Sequence, residues 1–367
     1  MNREVIQSLA FAIPALCALA CMAFVLIDAF HPDKNRQERR LRLFIALTFA
    51  VAALYWTGLM LQVSFPRAFV HCQPAFIFTL MMNQVLIYHF VHTVTSVRSR
   101  DRFSLLHIAL PVALTAFMAV SDSIIPFERR IAILYNADDN ILNRWYEAIY
   151  RMPRVVFVLY HTFYPALGLL RIRRYRHVIV NYSANTQRSS LNWLRITQLL
   201  TLLTIPVPLA GLLLKIEIFN NFRLSMPGVL PTFFVYPILC YNLLSDNFER
   251  MKHDDERAPV KSPVIDPKRF DKYLKDKRPY MNSKIHITDM ATALYTNNKY
   301  VSTYINSTYG MSFSRFINRC RLEELERLRR SPQMAGRGNM ELVLMAGFSN
   351  YRSYLRVKKE EDRENRL

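Results

Sequence analysis

The sequence predicts an all-α protein, a seven-span transmembrane helical bundle followed by a polar domain with two helix-turn-helix units. Three observations predict it. Seven stretches of about 20 mostly apolar residues, the length that crosses a bilayer core, fall within residues 1–245. Lys and Arg gather in alternate connections between those stretches. The last hundred residues twice repeat a short apolar helix, a turn, and a helix with one polar face. The expected division is a membrane domain at 1–245, a linker at 246–268 and a double helix-turn-helix domain at 269–367.

Charge is distributed to match. Splitting the chain after Ser245 gives 23 Lys plus Arg against 11 Asp plus Glu in front, and 25 against 17 behind, so the net +20 divides into +12 and +8. Positive excess beside apolar spans reads as a topology signal, whereas in a polar tail it favours nucleic acid. The five cysteines form no C-x-x-C pair and no disulfide framework. Cys17 and Cys21 read as small soft core residues on one helix face.

The expected spans are 5–27, 43–63, 75–97, 103–120, 153–170, 196–214 and 224–244. The first holds 23 uncharged residues with only Arg3 as a basic residue ahead of it. It therefore reads as a retained anchor, not a cleaved signal. The fifth is the weakest, with only 16 uncharged residues between Arg154 and Arg171, both placed to snorkel to the interfaces.

Basic residues then set the orientation. The first connection carries Lys34, Arg36, Arg39, Arg40 and Arg42, the third Arg98, Arg100 and Arg102, and the fifth Arg171, Arg173, Arg174, Arg176, Arg188 and Arg195. Between them lie Arg67 alone, a mixed-charge loop over 121–152, and Lys215 and Arg223 with Glu217. The positive-inside rule puts the N terminus outside and the tail in the cytoplasm, the compartment of bacterial DNA. The expected location is therefore the bacterial inner (cytoplasmic) membrane. The 121–152 loop, with Glu128, Asp138, Asp139 and Glu147 against Arg129, Arg130 and Arg144, reads as a solvated external cap able to hold a helix.

Polar residues within the spans are candidate sites because burying them in hydrocarbon is costly. Asn83, Gln84, Tyr88, His89 and His92 lie in the third span, His107 in the fourth, and Tyr160, His161 and Tyr164 in the fifth. One reading makes Asn83, Gln84, Tyr88, His89, His92 and His161 a sensor pocket for a small-molecule or lipid signal, or for protons. The other makes them hydrogen-bonding glue between helices. His89 and His92 alone make a poor metal site, and no cofactor or metal is expected. Of the eight prolines Pro14, Pro111, Pro165, Pro206, Pro208, Pro227, Pro231 and Pro237, five fall in the sixth and seventh spans. Kinks are expected there, just before the linker with its Pro259, Pro263 and Pro267.

In the tail, Phe270, Tyr273 and Leu274 open a packing helix. In the first unit Met290, Ala291 and Leu294 form the inner stripe of a helix capped by Thr288 or Asp289. Asn297 caps the next helix, which turns Tyr300, Val301, Tyr304 and Ile305 inward and ends at Gly310. Asn298, Lys299, Ser302, Thr303 and Asn306 are left outward, short donors and a cation suited to base edges and phosphates. Phe313, Phe316, Ile317, Leu322, Leu325 and Leu328 mark a connecting helix. The second unit repeats the logic, with Leu342, Val343 and Ala346 inward, a turn at Gly347 and Phe348, and a Ser349 cap. Its last helix turns Tyr354 and Val357 inward and Asn350, Arg352, Arg356 and Lys359 outward. An ordinary solvated helical surface is the competing reading of both outward faces.

The order Ala291, Leu294, Asn297, Tyr300, Val301, Ser302, then Tyr309 to Phe313 as Y-G-x-S-F, Arg321 to Glu324 as R-L-E-E, and Ala346 to Ser349 as A-G-F-S resembles the AraC/XylS family. The resemblance covers roughly the last hundred residues. It implies a transcription regulator that lays two reading helices, 297–306 and 349–359, on double-stranded DNA. The residues implied in contact are Asn297, Asn298, Lys299, Ser302, Thr303, Asn306, Ser349, Asn350, Arg352, Arg356 and Lys359. The chain departs from the family at Lys358, where a phenylalanine is usual, and lacks the closing G-x-[TS]-P-x-x-[YF]-R. The expected protein is a membrane-anchored DNA-binding regulator, with a homodimer as one way to place two tails on paired sites. The alternative is a membrane receptor or scaffold whose tail binds a protein. No nucleotide-binding, zinc-protease or serine-hydrolase motif favours an enzyme.

Overall fold

The computed structural model describes residues 3–96, 101–135, 141–185, 190–214, 222–248, 265–334 and 336–364. Their regular structure is helical, and the one β-bridge among them pairs Ser183 with His286. The chain divides into two compact units. The first comprises Met1–Thr95, Asp101–Ile172 and Asn192–Asn247; the second comprises Ser96–Arg100, Arg173–Leu191 and Phe248–Leu367.

The first unit contains α1 (Arg3–Ala29), α2 (Arg36–Ser64), α3 (Pro66–Thr95), α4 (Leu106–Ile124), α5 (Phe127–Tyr135), most of α6 (Ile141–Ile179), α7 (Asn192–Leu202), α8 (Pro206–Leu214), α9 (Phe222–Val229) and α10 (Thr232–Leu244). Among the described residues, seven helical segments are long and apolar enough to cross a membrane: Ile6–Ala29, Arg36–Ser64, Pro66–Thr95, Leu106–Ile124, Met152–Ile179, Asn192–Leu214 and Met226–Leu244. Each overlaps one of the seven expected spans. The sixth and seventh are broken just ahead of Pro206 and at Pro231, where proline removes a backbone donor and clashes with the preceding turn.

Packing orders these helices. α3 touches α2, α4 and α5, and α1 joins α2 to α10, which packs on α7. The third span is the most enclosed, with Gln73, Thr79, Asn83, Gln84 and His92 all buried, as polar groups at bilayer depth require. The fourth is the most open, and presents Leu106, Leu110, Phe117, Val120 and Ile124 outward. In water such a surface would be a liability, but against lipid it is the expected finish. Helices approach closely where side chains are small. A Cβ on Gly58 would collide with the Phe76 ring.

The helix of the expected fifth span runs well past Leu170. At 39 residues α6 is ~58 Å long, against a hydrocarbon core of ~30 Å. Its residues to Ile172 belong to the first unit and those from Arg173 to the second.

The second unit holds α11 (Pro267–Lys277), a 3₁₀ turn (Pro279–Met281), α12 (Ile287–Ala293), α13 (Asn298–Tyr309), α14 (Phe313–Arg330), a second 3₁₀ turn (Pro332–Met334), α15 (Asn339–Met345) and α16 (Tyr351–Glu364). Most of the expected linker, 249–264, lies outside the described residues, as do Arg98, Arg100, Asp138, Asp139, Arg188, Lys215 and Glu217. The expected linker runs to Lys268, but Pro267 already begins α11, where Asp266 accepts from the Lys268 N–H at 3.0 Å. Phe270 is fully buried against Tyr304 and Phe316, with ring centroids 4.8 and 5.8 Å away. Val301, Ile305, Phe313 and Ile317 close the first core, each contributing about 1.5–3 kcal/mol by leaving water. Leu325, Leu328, Leu342, Val343, Phe348, Tyr354 and Val357 form the second.

Residues 173–191 are part of this second unit, not a free basic loop. Tyr175, Ile179, Tyr182 and Leu191 are buried. The Ile287 N–H donates to the Tyr182 carbonyl and the Ser314 N–H to the Val180 carbonyl, both at 2.9 Å. The segment thus straps the starts of α12 and α14 together.

Candidate nucleic-acid interface and membrane cavity

The two helix-turn-helix units close their turns with the same three backbone bonds. In the first, Leu294, Tyr295 and Thr296 donate to the carbonyls of Met290, Thr292 and Ala291; in the second, Ala346, Gly347 and Phe348 donate to those of Leu342, Leu344 and Val343. Tyr295 and Gly347 therefore hold equivalent positions, both left-handed, with φ of 55° and 96°.

The caps differ from expectation in detail. Asn297 caps α13, accepting from the Tyr300 N–H at 3.1 Å. α12 begins after His286, not at Thr288 or Asp289. Asp289 instead serves as the returning arm of the cap and accepts the His286 N–H at 2.8 Å. α16 is capped by Asn350, which accepts from the Ser353 N–H at 2.8 Å, so the second turn is one residue longer than a Ser349 cap allows.

This sorts the expected contact residues. Lys299, Thr303 and Asn306 are exposed on α13, with Ser302 half-buried and 3.4 Å from the Asn306 amide. Arg352 and Lys359 are exposed on α16, and so is Ser349 ahead of it. Asn297 and Asn350 are committed to capping, and Asn298 is half-buried. Arg356 is half-buried too, and burial lowers the pKa of its guanidinium. Lys358, the departure from the family pattern, is exposed.

Sequence reasoning missed the joint between the two helix-turn-helix units. Arg321 is buried in α14 and donates to the Tyr280 carbonyl at 2.8 Å, the Asn282 carbonyl at 2.9 Å and Asn318 Oδ1 at 3.0 Å. Its guanidinium lies 5.9 Å from the Phe348 ring centre. Burial draws its pKa down to about 10, which leaves it charged at neutral pH. A Cβ on Gly347 would collide with the same Tyr280 carbonyl oxygen. Glu324, also buried, accepts from Arg327 at 2.6 and 2.9 Å and from Arg278 at 3.4 Å, and the Arg327 hydrogen bonds hold its carboxyl below the usual range.

In the membrane unit, the six expected sensor residues fall into two groups. Asn83, Gln84 and His161 line a central cavity of ≈ 50 Å³ together with Trp56 and Tyr236, whose Nε1 and hydroxyl are 2.9 Å apart. Tyr88, His89 and His92 turn away to pack with Phe103, His107 and Tyr164. There His92 Nε2 is 3.2 Å from Asp101, which also accepts from Arg171. Burial raises the Asp101 pKa, and the Arg171 hydrogen bond and charge outweigh it to leave the net shift downward. Among the described residues no group of three or more His, Cys, Asp or Glu side chains is placed to hold a metal.

Two charge clusters complete the unit. Arg130, expected in a solvated cap, is buried against Asp122 at 2.9 Å. Arg42, expected as a loop charge, is fully buried in α2, paired with Asp28 and donating to Asp246 at 2.9 Å. Lys34 reaches Asp246 at 3.3 Å, and Trp193 Nε1 donates to the Asn247 carbonyl at 2.8 Å. The chain leaving the last span is held by side chains from three other segments. No protein-family model, curated protein or solved structure matches the chain.

Proposed function

We propose that the chain is a membrane-anchored, sequence-specific DNA-binding transcription regulator of AraC/XylS type, held in the bacterial inner membrane with its second unit in the cytoplasm. The observation that carries this reading is the repetition within the second unit of one helix-turn-helix backbone, bond for bond, with a polar helix face exposed in each copy. Two such copies on an 18-residue connecting helix, ~27 Å long, suit successive faces of one duplex. Lys299, Ser302, Thr303, Asn306, Arg352 and Lys359 are the contacts this geometry favours. Asn297 and Asn350 act by setting the two helices.

Its membrane unit is the sensor. A signal must favour one bundle conformation over another, because equal affinity shifts nothing. The strap over 173–191 supplies a covalent route, since α6 contributes to both units. A tail that binds a protein is the second reading, favoured by exposed Leu344 and Leu355 on the second helix-turn-helix.

Purified full-length protein in nanodiscs tests the regulator reading. Affinity for genomic fragments should fall steeply with salt, and Arg352→Ala should lower the salt slope by about one. Salt-insensitive or absent DNA binding would sink it in favour of the protein-binding tail. A reporter fused after Leu367 should be active on the cytoplasmic side.

A further inference from the structure

The central cavity is built from six of the seven spans, with Phe11, Trp56, Asn83, His161, Thr204 and Tyr236 contributed by different segments. None of its described lining residues is Asp, Glu, Lys or Arg. A charged ligand at this depth would lack a counter-ion and lose its hydration, so the occupant is uncharged.

Beside the donors of the Tyr236 hydroxyl and the Asn83 and Gln84 amides, the lining holds several acceptors that no donor meets. Asn83 is buried, and its Oδ1 has no hydrogen-bond partner. His161 Nδ1 lies 3.0 Å from the Phe157 carbonyl, which fixes the proton there and leaves Nε2 as a bare acceptor. Thr201, Thr204 and Thr232 donate their hydroxyl hydrogens to the carbonyls of Thr197, Thr201 and Val229 at 3.0, 2.6 and 2.6 Å, which leaves lone pairs only. Trp56 spends its N–H on Tyr236. A molecule that only accepts would leave these groups unsatisfied, whereas one that donates would complete them.

Size limits the class further. A single water needs roughly 10–15 Å³ by the same measure, so a cavity of ≈ 50 Å³ holds about three to five non-hydrogen atoms. A second cavity of ≈ 60 Å³ lies against it, sharing Tyr55, Leu59 and Phe157. That neighbour carries the buried Gln73, whose Oε1 is also unpartnered, and Arg154. Rotation of the shared aromatic side chains would join the two into an entry path.

We propose that the central cavity binds a small uncharged hydrogen-bond donor with an apolar body, of the size and class of a short-chain alcohol. The proposal deepens the sensor reading of the membrane unit and rests on it for its biological meaning. Binding itself is measured without DNA, so the two fail separately.

Three probes of one shape decide it: propan-2-ol, acetone and isopropylammonium, which differ in donation and charge. Saturation-transfer NMR on the full chain in nanodiscs, with empty nanodiscs subtracted, should show saturable binding of propan-2-ol. Acetone should bind about three- to ten-fold more weakly, the value of one hydrogen bond, and isopropylammonium should not bind. Asn83→Leu should abolish the signal. Thr204→Val keeps the shape and should weaken it several-fold with an unchanged unfolding midpoint. Equal binding of acetone, preference for the cation, or no saturable signal above empty nanodiscs overturns the proposal and leaves the cavity to water. DNA affinity of the same samples reports on the regulator reading independently.

Discussion

In the first helix-turn-helix unit the left-handed residue of the turn is Tyr295, 60% exposed, its ring 4.9 Å from the Arg269 guanidinium. In the second it is Gly347, buried against the Tyr280 carbonyl and Met281. The backbone bonds are the same, so the difference lies in the surroundings. An L-residue costs about 1 kcal/mol in this conformation, tolerable where the side chain stands in solvent. Beside the 3₁₀ turn a side chain has no volume at all. One copy of the motif is a free-standing turn; the other is a keyed joint, locked by Arg321 at the same carbonyl.

Five substitutions test that contrast. Gly347→Ala should cost about 3 kcal/mol or more, because strain and collision act together. Hydrogen exchange on the full chain should show lost amide protection in α15 and α16 with α12 and α13 retained; equal loss in both units would remove the distinction. Arg321→Met deletes three hydrogen bonds, two of them to the backbone carbonyls of Tyr280 and Asn282, for about 2–3 kcal/mol. Its exchange signature should cover both units, since the joint belongs to both. The caps should show the units alike: Asn297→Ala and Asn350→Ala each remove about 1 kcal/mol, read as fraying of the first turn of α13 or α16. The smallest effect has the opposite sign. Tyr295→Gly relieves the left-handed strain and should change stability by under about 1 kcal/mol, upward if the lost Arg269 contact is worth less than the strain.

Much of this architecture is legible in the sequence, where period and composition carry it. The 3.6-residue spacing of Val301 and Ile305, or of Tyr354 and Val357, places them inward because any helix there must bury that stripe. The apolar stretches give seven spans because backbone in lipid has no other solution among single helices. Cap assignment slips by one residue at Ser349 and Asn350, since both side chains are competent caps and the turn length decides. The strap is invisible because its bonds join backbone groups, Ile287 to Tyr182 and Ser314 to Val180, and backbone bonds select no residue type. The residues expected to form one pocket divide for a geometric reason. Asn83 and Gln84 line the cavity with Trp56 of α2 and Tyr236 of α10, while His89 and His92, further round the same helix, pack on Phe103 in the segment ahead of α4. Arg321 stands out in the sequence only as part of a motif, although an arginine in the inward register of α14 is a signal for a buried polar joint.

The strap has a consequence for how the second unit could be released from the first. A protease cutting within 249–264 would sever the chain without freeing a diffusible fragment. The severed piece would stay docked through the carbonyls of Val180 and Tyr182 and the buried side chains beside them. Shedding of the severed piece would need a second event, a cut upstream of Arg173 or dissociation of the strap. On the proposed reading, a factor of this build searches for its sites while tethered, and brings the chromosome to the membrane.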